Sequence, residues 1–98
     1  MPYDTFMTLS PIRRRLLYRA MHRGFKEADL VIGNFAKRHL EDMTSAEVDE
    51  FSSLLEVPDQ ELYAWIIGRE DVPDNYNGPV FRKMRDFEVA TLLLSGSA

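Results

Sequence analysis

The side chains best suited to chemistry lie together in residues 22–29, where the sequence reads His-Arg-Gly-Phe-Lys-Glu-Ala-Asp. His22 with Glu27 or Asp29 has the residue types of an acid/base pair. Acid/base groups are tuned by pockets that exclude water and shift their pKa values. We expect these residues at an exposed helical corner without such a pocket. The sequence therefore predicts that this chain alone is not an enzyme.

The same octet is suited to docking, because Arg23 and Glu27 would display a cation and an anion where two helices meet. Gly24 is predicted to end the first helix in the left-handed conformation that glycine adopts readily. Glu27 then falls in the first turn of the second helix, where the helix dipole favours a carboxylate. A purely structural role, as a helix cap and a dipole-matched acid, fits the pattern equally well.

Other kinds of site lack their sequence signatures. The chain has no cysteine, which excludes disulfides, a thiol nucleophile and thiolate metal ligands. Its two histidines are not spaced as metal ligands, and no glycine-rich phosphate loop or nucleophile elbow is present. We therefore predict no metal site.

Charge is distributed unevenly, although the formal net charge is only -4. Half of the twelve cationic residues fall in a segment without any acid: Arg13, Arg14, Arg15, Arg19, Arg23 and Lys26. Most of the sixteen acids lie between Glu41 and Asp74. A basic edge beside an acidic flank favours an oriented protein partner, because overall acidity repels a polyanion at long range. Nucleic-acid binding through the arginines is the weaker alternative.

The hydrophobic pattern predicts five helices and no strand. The expected start signals are Ser10-Pro11, Phe25 or Lys26, the Thr44–Glu47 capping box, Asp59 as an N-cap, and Pro79. The expected ends are Arg23, about Asp42, Pro58, Gly68 and about Leu94. A chain of 98 residues has room for one domain, and we predict a compact all-α five-helix bundle over residues 1–98.

Helical periodicity also assigns the sides of the first two helices. Arg15, Tyr18, Arg19 and His22 share one side of the first helix. Its other side is apolar and is expected to face the core through Ile12, Leu16, Leu17, Ala20 and Met21. Arg13 falls within the apolar arc, and its charged head is expected to reach water. Glu27 lies on the side of the second helix that faces away from the core. Gly33, inside that helix, is consistent with a close helix crossing.

Several elements occur together in residues 11–69: the octet from His22 to Asp29, Phe35, Leu54-Leu55-Glu56, and Asp59 to Ile66 with its Asp-x-x-Leu-x-x-Trp spacing. Together they resemble the SdhE-type FAD assembly factors of succinate dehydrogenase. The resemblance implies a small helical protein that promotes covalent attachment of FAD to the flavoprotein subunit of that enzyme, and in some bacteria of fumarate reductase. FAD would be attached to the client and not held stably by this chain. A toxin–antitoxin component is a minor alternative.

The resemblance places Arg23, Gly24, Glu27 and Asp29 in the functional motif of the family. His22 stands where family members often have an arginine, and the helix at about residues 79–94 is expected to vary. The full set of predicted partner-binding residues is Arg15, Arg19, His22, Arg23, Gly24, Glu27 and Asp29. We expect a monomer without membrane insertion, located in the bacterial cytoplasm or, in a eukaryote, in the mitochondrial matrix.

Overall fold

Five α-helices make up most of the chain in the computed structural model, which describes the backbone of residues 9–95 and the side chains of residues 9–88. They are α1 (Pro11–Met21), α2 (Lys26–His39), α3 (Ser45–Leu55), α4 (Asp59–Ile66) and α5 (Pro79–Ser95), with short 3-10 helices at Leu40–Asp42 and Asp74–Tyr76. Residues 9–95 contain no strand. The prediction of an all-α five-helix fold is therefore confirmed. What was expected of residues 1–8 and 96–98 lies outside the described residues.

Local capping signals predicted most helix starts correctly. The Ser10 hydroxyl accepts a hydrogen bond from the Arg13 amide at 3.4 Å at the start of α1. Thr44 and Glu47 make both bonds of the capping box, at 3.1 and 2.9 Å. The prediction that Asp59 is an N-cap is wrong. Pro58 is the N-cap of α4, and the Asp59 carboxylate is instead drawn to an arginine of another segment.

Gly24 and Gly68 have different structural roles. The prediction of a left-handed Gly24 is wrong, because α1 ends with His22 as its C-cap and the only positive φ within the described residues is 81° at Gly68. Gly68 ends α4 as expected. Gly24 is required for space, since a Cβ atom there would collide with the Asp59 carboxylate. The backbone of Gly24 is thus in direct packing contact with the start of α4.

The crossing of α1 and α2 depends on Gly33. A Cβ atom on Gly33 would lie 3.2 Å from the Cα atom of Met21 and 3.5 Å from the carbonyl oxygen of Ala20. The first distance is shorter than most Cβ contacts, so a side chain at Gly33 would require the end of α1 to shift by a few tenths of an ångström. The close crossing expected from the sequence is therefore confirmed.

A single hydrophobic core lies between the five helices. Its largest fully buried side chains are Phe35, Phe51, Phe81, Ile32, Leu40, Leu54, Leu62, Ile66, Met84 and Val80. The periodicity of α1 placed Ile12 on the core side, but this residue is 61% exposed. Ile12 lies in the first turn of α1, and the buried residues of this helix begin only at Leu16.

The start of α5 is fixed by a residue distant in sequence. The carboxylate of Glu50 on α3 accepts hydrogen bonds from the backbone amides of Val80 and Phe81 at 3.1 and 3.0 Å. It thereby satisfies two of the free amides at the helix N-terminus and interacts favourably with the helix dipole. A Cβ atom on Gly78 would collide with this carboxylate. The predicted opening at Pro79 is correct, but its capping group comes from another helix.

Candidate functional site

A connection of four residues, His22 to Phe25, joins α1 to α2 and forms the corner at the centre of the predicted site. The carboxylate of Asp29, in the first turns of α2, accepts a hydrogen bond from the backbone amide of Arg23. This bond ties the connection back onto the helix that follows it. Asp29 is half-buried, so its observed role is to hold the corner together.

The Arg23 side chain points inward, and only 6% of it is exposed. Its guanidinium donates hydrogen bonds to the carbonyl oxygens of Leu55 at 2.6 Å and Val57 at 2.7 Å, and pairs with the Asp59 carboxylate at 2.8 Å. The last carbonyls of a helix have no partner within that helix and carry the negative end of its dipole. Arg23 therefore clamps the end of α3 and the start of α4 to the corner.

Arg19, one turn earlier on α1, supports the same clamp from a more exposed position. Its guanidinium lies 2.6 Å from the Glu56 carboxylate and 3.4 Å from the Leu55 carbonyl oxygen. Arg13 acts similarly on another helix end, because it donates to the carbonyl oxygens of Leu40 and Glu41 at 2.6 and 3.4 Å. The Arg13 head, which was expected to reach water, is bonded to these carbonyl oxygens at a half-buried position. Much of the basic segment is used to hold the ends of α2 and α3.

The remaining predicted residues are exposed, either at the corner or on the two helices that it joins. Glu27 is exposed, as the helical wheel predicted, and its carboxylate makes no hydrogen bond or ion pair with any described residue. His22 and Arg15 are also exposed. Gly24 is exposed too, although it packs against Asp59. The structure thus divides the seven residues into an internal group, Arg19, Arg23 and Asp29, and an exposed group whose member Arg15 lies two turns before the corner on α1. Their role in binding stays a prediction.

An aromatic contact supports the corner on the side that faces the core. The rings of Phe25 and Tyr63 meet edge to face, with their centroids 5.2 Å apart. Burial raises the pKa of the Tyr63 hydroxyl, and the nearby carboxylates of Glu88 and Glu27 raise it further. Burial also raises the pKa of Glu88, which lies on α5 and is only 4% exposed. Helices α2, α4 and α5 therefore meet beneath the corner.

Away from the corner, described residues line three cavities. Their volumes are 40 Å³ beside Phe35 and His39, 320 Å³ beside Glu50 and Tyr76, and 270 Å³ beside Ile12 and Val48. None of the three is lined by a predicted site residue. Among the residues that the structure describes, no cluster of acidic, histidine or cysteine side chains could hold a metal ion. No described helix is long and apolar enough to cross a membrane.

Sequence reasoning missed the residues that Arg23 and Gly24 contact. Leu55, Val57 and Asp59 lie more than 30 positions along the chain, and two of them contribute only backbone carbonyls. The sequence held one signal for these contacts: Leu54-Leu55-Glu56 and Asp59 occur together with the Arg-Gly-x-x-Glu motif among the elements that resemble the family. Their joint presence is explained by the clamp.

Comparison with known proteins places the chain among assembly factors. Residues 14–88 match the family described as "Flavinator of succinate dehydrogenase". FAD assembly factor SdhE of Acetobacter pasteurianus is 41% identical over 76 residues, which span 78% of this chain and 70% of that protein.

Mitochondrial proteins show the same similarity. Succinate dehydrogenase assembly factor 2 of Scheffersomyces stipitis is 39% identical over 80 residues, covering 79% of this chain and 54% of the relative. The Dictyostelium discoideum protein of the same name is 30% identical over 74 residues, covering 76% of this chain and 52% of the relative. The chain thus spans about half the length of these two relatives. The resemblance seen in the sequence is confirmed, and the chain belongs to the family of flavinators of succinate dehydrogenase.

Proposed function

We propose that this chain promotes covalent attachment of FAD to the flavoprotein subunit of succinate dehydrogenase by docking transiently on that subunit. Family membership supports the activity. The observation that supports the docking surface is Glu27, an exposed carboxylate without an internal partner, carried on a corner that four other residues hold in place: Arg23, Gly24, Asp29 and Asp59. Because the backbone that carries Glu27 is held in place, an oriented contact requires ordering only this one side chain.

The internal clamp and the exposed carboxylate have different tasks in this proposal. Arg23 fixes the corner against α3 and α4, while Asp29 closes the connection onto α2. Glu27 then accepts hydrogen bonds from donors on the client, and such bonds are stronger when the acceptor is ionised. The chain would stabilise the client conformation in which FAD and its attachment residue are aligned. The flavin chemistry belongs to the client, and this chain contributes no catalytic group.

The proposal also concerns oligomeric state and compartment. The relatives of this chain come from a bacterium and from mitochondria. A monomer acting in the bacterial cytoplasm or the mitochondrial matrix would meet the flavoprotein before that subunit joins its complex. Affinity capture from native lysate, followed by mass spectrometry, should recover this flavoprotein and would show whether the flavoprotein of fumarate reductase is also bound. Salt-sensitive binding to duplex DNA with no flavoprotein recovered would contradict the proposal.

The decisive experiment is Glu27→Ala, assayed by thermal melting and by in-gel flavin fluorescence of the client. We expect nearly normal melting, because an exposed dipole-matched acid contributes at most ~1 kcal/mol to stability. Client flavinylation should fall sharply, because losing one member of a desolvated polar contact costs ~2 to 5 kcal/mol of binding.

Glu61→Ala is the matched control for this experiment. Glu61 is also an exposed glutamate in a helical first turn, so its removal has the same effect on a helix dipole. It lies on the other side of α4 from Asp59, since two residues rotate a helix by about 200°. A large drop in melting temperature with unchanged flavinylation for Glu27→Ala would give Glu27 a purely structural role.

A further inference from the structure

Tyr18 and His22 form a stacked aromatic pair on the outer side of α1. Their ring centroids are 4.2 Å apart and their planes are inclined by 24°. The Nδ1 atom of His22 lies 2.8 Å from the carbonyl oxygen of Tyr18. A carbonyl oxygen can only accept, so Nδ1 carries the hydrogen and donates it. The imidazole is thereby held against the tyrosine ring before any partner arrives.

Tyr18 is one of three large hydrophobic residues that are exposed among the described residues. Tyr18 is 62% exposed, and its hydroxyl makes no hydrogen bond with any described residue. A tyrosine has few rotatable bonds, so it offers a large contact surface at a small entropic cost. Tyrosine is also enriched among the residues that contribute most to binding at protein interfaces. The stack has the properties of an interface anchor.

Positive charge without an internal partner lies on the same side of the helix. The side chains of Arg13, Arg19 and Arg23 are bonded to helix ends or carboxylates. The side chains of Arg14 and Arg15 make no hydrogen bond or ion pair with a described residue. Arg15 precedes Tyr18 by three positions and His22 by seven, and these spacings place all three on one side of α1. The helix contains no acidic residue.

We propose that Arg15, Tyr18 and His22 form an aromatic seat for an acidic segment of the succinate dehydrogenase flavoprotein. Charge complementarity selects the acidic segment, and the stacked rings supply apolar contact beside it. A small anion or nucleotide fits less well, because small ligands bind in concave sites, whereas Tyr18 is 62% exposed on the outer side of α1. The seat rests on the proposed function and adds a second contact to the one made by Glu27.

The test measures binding of the full chain to the purified flavoprotein subunit before FAD attachment. Tyr18→Ala should weaken binding by about tenfold or more, as expected for an aromatic anchor. Ile12→Ala is the matched control, because Ile12 lies on the same helix and is 61% exposed. It lies about 120° around α1 from Tyr18, so its truncation should change the affinity by no more than about twofold. Both variants should melt like the unmodified protein.

Arg15→Glu provides a second readout that does not depend on the aromatic ring. Reversing this charge should weaken binding most at low salt and reduce the dependence of affinity on salt. Equal affinities for Tyr18→Ala, Ile12→Ala and the unmodified protein, with binding lost in Glu27→Ala, would overturn the seat and leave the proposed function standing. Normal flavinylation in every variant, including Glu27→Ala, would overturn both. A change in self-association with unchanged client binding would identify the seat as a contact between copies of this chain, which also overturns the proposal.

Discussion

Replacing Arg23 by alanine distinguishes a structural role of this residue from a direct role in docking. The substitution removes two hydrogen bonds to carbonyl oxygens, at 2.6 and 2.7 Å, and an ion pair at 2.8 Å. The Asp59 side chain is 30% exposed and keeps contact with water, so the ion pair contributes less than a fully buried one. Losing the buried partner of such a network costs ~3 to 5 kcal/mol. For a domain of this size, that loss lowers the melting temperature by roughly 15 to 30 °C.

Thermal melting and urea unfolding of purified Arg23→Ala measure this loss directly. Arg23→Lys should fall between this variant and the unmodified protein, since an ammonium cannot reproduce the planar fork of hydrogen bonds. Arg15→Ala is the control, because Arg15 is exposed, has no internal partner and should change stability by less than ~0.5 kcal/mol. If Arg23→Ala melted like Arg15→Ala but failed to support flavinylation, Arg23 would be a direct client contact and the clamp argument would be refuted.

Three further predictions concern contacts that lie around the corner or at the start of α5. Gly24→Ala should cost ~1 to 3 kcal/mol in urea unfolding because its Cβ displaces the Asp59 carboxylate, and adding Asp59→Ala should give less than the sum of the two losses. Glu50→Ala should cost ~1 to 2 kcal/mol in thermal melts by uncapping α5, and an unchanged melting temperature would show that the cap is dispensable. Burial raises the pKa of Glu88, so the stability this carboxyl contributes is complete below its unfolded value of 4.5 and is lost as pH rises through the folded value. The stability of Glu88→Gln relative to the unmodified protein should therefore increase from acidic to neutral pH, and a difference that does not change with pH would contradict this.

Features set by neighbouring residues could be predicted from the sequence. Ser10 and Thr44 cap helices through residues three positions away, and both caps are present as expected. Gly33 could be read as a crossing point because glycine inside a helix is unfavourable without a packing reason. The outward direction of Glu27 follows from helical periodicity alone. These features depend on at most a few turns of chain.

Features that depend on distant segments could not be predicted. Every helix end has free carbonyls, but the sequence does not reveal which cation reaches them. Arg23 bonds carbonyls 32 and 34 positions away, and Glu50 caps a helix that begins about 30 positions later. Gly24 was assigned a left-handed conformation because that is the commonest reason for glycine after a helix. The actual reason, contact with Asp59, arises only once α4 is packed against the corner.

The spacing of the Arg-Gly-x-x-Glu motif is explained by the opposite directions of its charged residues. Arg23 needs the end of α3 within reach of its fork, and Gly24 must lack a side chain for Asp59 to approach that arginine. Two residues later α2 has begun, and Glu27 faces outward from its first turn. Arg23 and Gly24 therefore hold the corner in place, and Glu27 is the residue that we propose contacts the client. Loss of flavinylation should accompany loss of stability at Arg23 and Gly24 but occur without it at Glu27.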